Sequence, residues 1–404
     1  MIQAAILNRL FGTTYIKAGK YMKTLIELYD KRPIENVLGT EVFGPEETVF
    51  ICPAEIAQNK NIRRSLEYYF KLRGCNVKLT FVPVSLLQAM NVAKKIREIL
   101  ETRKDCVIDI SGGTDAALFA AGTVAGETPV ITYSHKQNRF FEIHNAPYAR
   151  NLPCNVRLNV ETCFLMAGGR LKEGRANNSE LASRLDQIEK LFNVYRNFRK
   201  IWNQQISYFQ KISSAGDPDL KAHGPRTARA DNRHVTANED LLKALEQAEM
   251  IHDLQINEEE VDFRFADSTV RFWLRDMGAV LELHVYRACV LAGCYDDVVL
   301  SAVVDWDETS EKRDRVSNEL DVVAVKGVHP VFISCKTSEI RTEALNELKI
   351  LNDRFGGEDS RAIIVTSTTS YKNRRIMHLR AAELGIEVIE WNDLEIEHLV
   401  RRLS

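Results

Sequence analysis

The sequence predicts an α/β protein: a Rossmann-like N-terminal domain, a helical connecting region, and a C-terminal mixed sheet flanked by helices. Three observations carry this. Strand-like runs alternate with amphipathic helices from Lys23 to about residue 150, helical spacing dominates the next hundred residues, and strands return after about residue 262. With 404 residues, 45% hydrophobic and 27% charged, the chain has material for two or three separate cores. The formal net charge of −2 excludes a protein that coats nucleic acid through bulk charge, though a local basic groove is still allowed.

In the first part "TLIELY", "TVFIC", "VKLTFVPV" and "CVIDI" are strand-like, and each is followed by a segment with helical character. Such alternation implies right-handed crossovers and a parallel sheet covered on both faces. "PVITYSH" and "RFFEIHN" add two strands and close the domain near residue 150. In the middle, "NSELASRLDQIEKLFNVYRNFRKIWNQQISYFQKI" has apolar residues at helical spacing, and its basic "YRNFRKIW" reads as a solvated helix face. "SSAGDPDLKAHGPRTARADNRHV" reads as a polar loop. The last part predicts one helix over 268–291, then strands at "DVVLSAVV", "ELDVVAV" and "PVFISCK", then the alternation α-β-α-β through "RAIIVTS" to "IEVIEW".

The eight cysteines are scattered, with no C-x-x-C pair and no histidine at ligand spacing, which predicts reduced, mostly buried thiols and argues against zinc. The N-terminus lacks a charged n-region and no apolar run reaches membrane-spanning length, so a cytoplasmic protein without a membrane partner is expected.

Chemistry concentrates in "NELDVVAVKGVHPVFISCKT", where Glu319, Asp321 and Lys336 interrupt apolar strands. Charges in such places are costly unless paired or bound to a metal. Strand alternation puts Glu319 and Asp321 on the side of Val323 and Val325, with Leu320, Val322 and Ala324 opposite; Phe332, Ser334 and Lys336 share a face of the next strand. Pairing through "KGVHP" directs Asp321 and Lys336 to one point, which Glu282 of the preceding helix reaches from outside the sheet. Two carboxylates and a lysine at a sheet edge suit phosphodiester hydrolysis with Mg²⁺ or Mn²⁺.

The helix–strand order with Glu282, Asp321 and Ser334-Cys335-Lys336 resembles the PD-(D/E)XK nuclease superfamily, a restriction-endonuclease-like α/β fold, over residues 262–404. The resemblance implies that Asp321 and Glu282 are metal-binding acids, Lys336 the catalytic lysine and Cys335 a metal ligand through its carbonyl. Ser334 stands where the family usually has Glu or Asp, with Glu319 or Glu282 available to compensate.

"VIDISGGTDAALFAAG" is a strand entering a Gly-Gly turn and a helix, where exposed amides favour an anion such as phosphate. The stretch from Met22 to Asn145 is similar to CARF domains, the Rossmann-like sensors of type III CRISPR defence. That similarity implies cyclic-oligoadenylate contacts at Ser111, Gly112, Gly113, Thr114 and Asp115, and, on the first strand's loop, at Asp30, Arg32 and Asn36. Asp115 replaces the usual lysine. The implied organisation is an N-terminal extension (1–21), a CARF sensor (22–150), a helical connecting region (151–261) and a PD-(D/E)XK nuclease domain (262–404). Together the parts resemble the cyclic-oligoadenylate-activated CRISPR nucleases, which cleave DNA and/or RNA. A two-fold cyclic tetra-adenylate is best matched by a homodimer with one composite sensor site. The alternatives are a weakly active or inactive ligand-responsive scaffold, because of Ser334, and a sensor-coupled DNA-binding regulator.

Overall fold

The first sheet is built on five parallel strands, β1 (Thr24–Leu28), β2 (Glu47–Cys52), β3 (Lys78–Pro83), β4 (Cys106–Asp109) and β5 (Val130–Ser134), extended antiparallel by β6 (Arg139–His144) and β7 (Leu152–Pro153). This computed structural model describes residues 22–172, 178–230, 233–306, 316–357, 359–368 and 373–404; the expected N-terminal extension lies outside them. The strand order β3-β2-β1-β4-β5-β6-β7 reverses direction between β1 and β4, which opens a crevice at their carboxyl ends. The intervening helices are α1 (Leu38–Phe43), α2 (Ala54–Gln58), α3 (Lys60–Leu72), α4 (Ala89–Thr102) and α5 (Asp115–Val124). Ile26, Val49 and Ile108 pack under α4 and α5, while Leu25, Phe50 and Val107 face the opposite core.

The connecting region departs from the helical expectation. It contains α6 (Val160–Met166), β8 (Arg170–Leu171), α7 (Asn178–Ala182), the 28-residue α8 (Leu185–Ile212), then β9 (Lys221–Pro225), β10 (Thr227–Ala230), β11 (Arg233–Thr236), α9 (Glu239–Gln247), β12 (Ile251–Ile256) and β13 (Glu260–Phe265). The segment read as a polar loop supplies β9 to β11. β9 joins the sheet β12-β13-β9, and β10 pairs with β11. These strands bury only small or isolated apolar residues, Ala222, Ala230 and Val235, so their periodicity is too weak to read in the sequence. Tyr208 of α8 fixes β9 by donating to the Pro225 carbonyl at 2.9 Å.

The last sheet has the order β18-β17-β16-β15-β14-β8, with β14 (Asp297–Asp305), β15 (Ser317–Lys326), β16 (His329–Lys336), β17 (Arg361–Thr366) and β18 (Ile386–Ile389). The helix expected over 268–291 is two, α10 (Ser268–Trp273) and α11 (Ala279–Ala292). A turn interrupts it: Asp276 Oδ1 accepts from the Gly278 amide at 2.8 Å, and Gly278 is the N-cap of the second helix. α12 (Thr342–Phe355), α13 (Arg374–Glu383) and α14 (Ile396–Leu403) complete the domain. Val322, Ile333 and Val365 pack with α8, α11 and α14, and Phe332, Val323 and Ile364 pack on the other side with α12. That second core is continuous with the Leu25–Phe50 face of the first sheet.

Candidate active site and sensor cleft

Strand pairing explains why Asp321 sits where it does. The β15–β16 ladder runs from Lys326↔His329 to Val322↔Ile333 and stops there. Beyond it, Asp321 Oδ2 accepts the Cys335 amide at 2.6 Å, taking the hydrogen bond that a ladder partner would have supplied. The same oxygen accepts from Ser334 Oγ at 3.1 Å and from Lys336 Nζ at 3.4 Å. Ser334 therefore orients the carboxylate rather than adding a charge. The N–H and C=O of one residue in a strand point to the same edge, so the Cys335 carbonyl also faces the gap beside Asp321. Its thiol is buried in the core.

The expected face assignment needs one correction. Leu320 packs in the same core as Val323 and Val325, whereas Val322 and Ala324 pack in the other. β14 changes sides at the same level, between Leu300 and Ala302, and Ser301 there has φ +51°. This local reversal sends Glu319 and Asp321 to the side of α11. Both line a cavity of about 420 Å³ with Glu282, and Asp276 and Glu180 extend its acidic wall. Gly278 makes room for Glu282: a Cβ there would lie 2.6 Å from Glu282 Oε1.

Among the described residues that line this cavity five are acids and none is a lysine or arginine. Burial raises the Glu282 carboxyl to about 8, helped by Asp321, Asp276 and Glu319, with Lys336 opposing. The three contacts of Asp321 all fall on one oxygen. An all-oxygen, acid-rich donor set of this kind matches the preference of hard divalent cations. Asp276 and Glu180 were not singled out from the sequence, because they stand outside any strand pattern.

The Gly-Gly loop after β4 is assembled by a second set of hydrogen bonds. Asp109, buried at the end of β4, accepts from the Ser111 amide at 2.8 Å and from the Ser111 hydroxyl, which in turn accepts the Tyr133 amide at 2.8 Å. Burial raises Asp109 to about 7. The glycines are sterically required: a Cβ on Gly112 would lie 2.8 Å from Asp30 Cβ, and Gly113 has φ +101°. Thr114 caps α5 through its oxygen and donates to the Leu86 carbonyl at 2.5 Å.

The loop after β1 is largely self-braced. Asn36 holds the Asp30 amide (2.9 Å) and carbonyl (2.8 Å), and the Asp30 carboxylate accepts from Arg32 and from the Gly113 amide at 2.9 Å. These contacts hold the Asp30 carboxyl below the usual range against the opposing effect of burial. Asp30 thus bridges the two expected contact segments, while Arg32 and Asn36 serve it. The cleft is lined by Asp30, Gly113 and Thr114 together with Lys31, Ser85 and Leu87. Asp115 is exposed at the start of α5 and Lys31 is exposed at the cleft. Lys31 could have been noticed as the cation nearest the strand end. The ends of β2 and β3 were not separable from ordinary turns.

The chain thus joins a Rossmann-like sheet to a mixed sheet that bears a carboxylate–lysine cluster. Residues 267–403, a third of the chain, match the family described as Card1-like, endonuclease domain. Over 96% of its length the chain is similar in structure to Can2 from Sulfobacillus thermosulfidooxidans, solved with cyclic tetra-adenylate (16% identity, TM-score 0.68, 98% of that chain covered). It is also similar to protein VC1899 from Vibrio cholerae (18% identity, TM-score 0.70, 94% and 97% covered). No curated protein sequence matches it.

Proposed function

We propose that the chain is a divalent-metal-dependent nuclease of type III CRISPR antiviral defence, activated by a cyclic oligoadenylate. The observation that carries this reading is the meeting of Asp321, Glu282 and Glu319 at one cavity, with Lys336 Nζ 3.4 Å from Asp321 Oδ2, within the residues that match the endonuclease-domain family. When bound by Asp321, Glu282 and the Cys335 carbonyl, Mg²⁺ or Mn²⁺ would supply Lewis acidity and lower the pKa of water. The chain's residues do the positioning. Ser334 and the Cys335 amide fix Asp321, and Lys336, 3.4 Å from the carboxylate, holds a cation where phosphate charge builds up.

The sensor reading is supported by the cleft at the topological switch point, which offers a Gly-Gly loop and Lys31 to a phosphate ring. Beside it, Leu87, Met90 and Phe119 are 79%, 77% and 69% exposed on or next to α4 and α5. This apolar face fits a second copy of the chain, which brings two loops around one two-fold ligand. Activation then requires that the ring bind the cleavage-competent dimer more tightly than the resting one.

The test is a cleavage panel of supercoiled plasmid, linear duplex, single-stranded DNA and RNA with Mn²⁺, each with and without cyclic tetra-adenylate or hexa-adenylate. Ring-stimulated cleavage that is lost in Lys336→Ala, with ring binding retained, is expected. No stimulation by any ring would overturn the proposal.

A further inference from the structure

Away from the carboxylate cavity and the sensor cleft, three ligand-type side chains converge where the two domains meet. His135 follows β5, His329 opens β16, and Asp359 lies in the α12–β17 connection. Each offers one ligand atom, and these atoms all lie within 4.8 Å of one another. Both imidazoles are half-buried and the carboxylate is exposed. The rings are 6.3 Å apart and inclined at 60°, so they are not stacked for packing.

What lies behind His135 is the second, independent observation. Buried Glu35 places Oε1 2.5 Å from His135 Nε2, and Arg32 Nη1 lies 3.4 Å from the same carboxylate oxygen. A buried carboxylate hydrogen-bonded to a ring nitrogen orients the imidazole, as in carboxylate–histidine–metal triads.

We infer that His135, His329 and Asp359 form a second metal site, chemically distinct from the nuclease centre, for a borderline transition-metal ion of the Zn²⁺ class. Two neutral imidazoles and one carboxylate suit such an ion with water as a fourth ligand, whereas Mg²⁺ prefers oxygen throughout. The expectation against zinc rested on spacing, and spacing cannot reveal ligands drawn from three distant segments. The site ties the sensor's β5 to the first residue of β16, the strand whose last residue is Lys336. It also adjoins the ligand loop, because a Cβ on Gly112 would lie 3.2 Å from Glu35 Cβ.

The test is a titration of the full-length protein, stripped with chelator, with ZnCl₂ followed by calorimetry and with CoCl₂ followed by visible ligand-field absorption. One Zn²⁺ per chain at a Kd below about 1 µM is expected, weakened on the order of 10–100-fold in H135A, H329A and D359N and unchanged in D321N. Asp359 is exposed, so D359N gives an answer even where a histidine variant fails to fold. Absence of submicromolar Zn²⁺ binding would overturn the inference. So would an affinity unaffected by D359N and H329A, or one lost in D321N, which would put the ion in the carboxylate cavity.

Discussion

At the scale of single residues, Asp321 has two roles that substitution can separate. Asparagine keeps an acceptor for the Cys335 amide but removes the charge, whereas alanine leaves that amide without its 2.6 Å partner. D321N is therefore expected to lose on the order of 10²–10³-fold in cleavage with little change in unfolding midpoint. D321A should lose the same activity and also about 1–3 kcal/mol of stability, measured by denaturant unfolding. Glu282 carries the pH signature. Its folded-state carboxyl titrates near 8, above the ordinary unfolded value, so as pH rises the unfolded chain releases this proton before the folded one does. That makes Glu282 a growing cost between about pH 5 and 8 in chelated protein. E282Q should gain nothing in Tm at pH 5 and about 2–4 °C at pH 8 by scanning fluorimetry. Added Mn²⁺ should reverse the order at pH 8 by stabilising only the wild type.

At the scale of elements, the site depends on a ladder that ends early. β15 and β16 separate beyond Val322↔Ile333, and the reversal of sides at Ser301 and Leu320 turns two carboxylates toward α11. The Gly-Gly loop after β4 depends on the opposite device, a turn pinned tightly by Asp109, Ser111 and Asp30. Gly112→Ala pushes a methyl against Asp30, so the loop and cleft must shift together. Ring affinity measured by calorimetry should fall by about tenfold or more, while Lys31→Ala should lower it by a smaller factor that shrinks as salt rises. The fold class, the crossovers and most strands of both large sheets are legible in the sequence because their apolar periodicity is strong. The strands β9 to β11 and the break before α11 are not. Their boundaries are set by Ala222, Val235, Asp276 and Gly278, through tertiary contact and a local Asp276–Gly278 turn rather than periodic burial.

At the scale of the whole molecule, one apolar core runs from Leu25 and Phe50 in the first sheet through Phe164 of α6 to Phe332 and Phe355 in the last domain. A core shared in this way transmits displacement, because packed interiors have few intermediate arrangements. The connecting chain reinforces it: the Leu158 amide donates to the Gly327 carbonyl at 2.8 Å in the β15–β16 turn, and the Val160 amide to Asp297 at 2.8 Å. Among the described residues no helix is long and apolar enough to cross a membrane. The exposed face at Leu87, Met90 and Phe119 belongs to this scale, since its proposed partner is a second molecule. Phe119→Asp should convert a sedimenting dimer to monomer and weaken ring-stimulated cleavage in parallel, with the Tm within about 2 °C of wild type.

By itself the sequence determined which chemistry is present and roughly where. Apolar periodicity specifies strands and helices locally, and acids or a lysine inside such runs stand out against it. Only the tertiary structure decided which oxygen of Asp321 is engaged, that Ser334 serves that carboxylate, that Asp30 bridges its own loop to Gly113, and that His135 meets His329 and Asp359. The reason is that those relations join residues far apart in the chain, and their geometry depends on strand register, an early ladder end and the docking of two domains, none of which leaves a periodic trace.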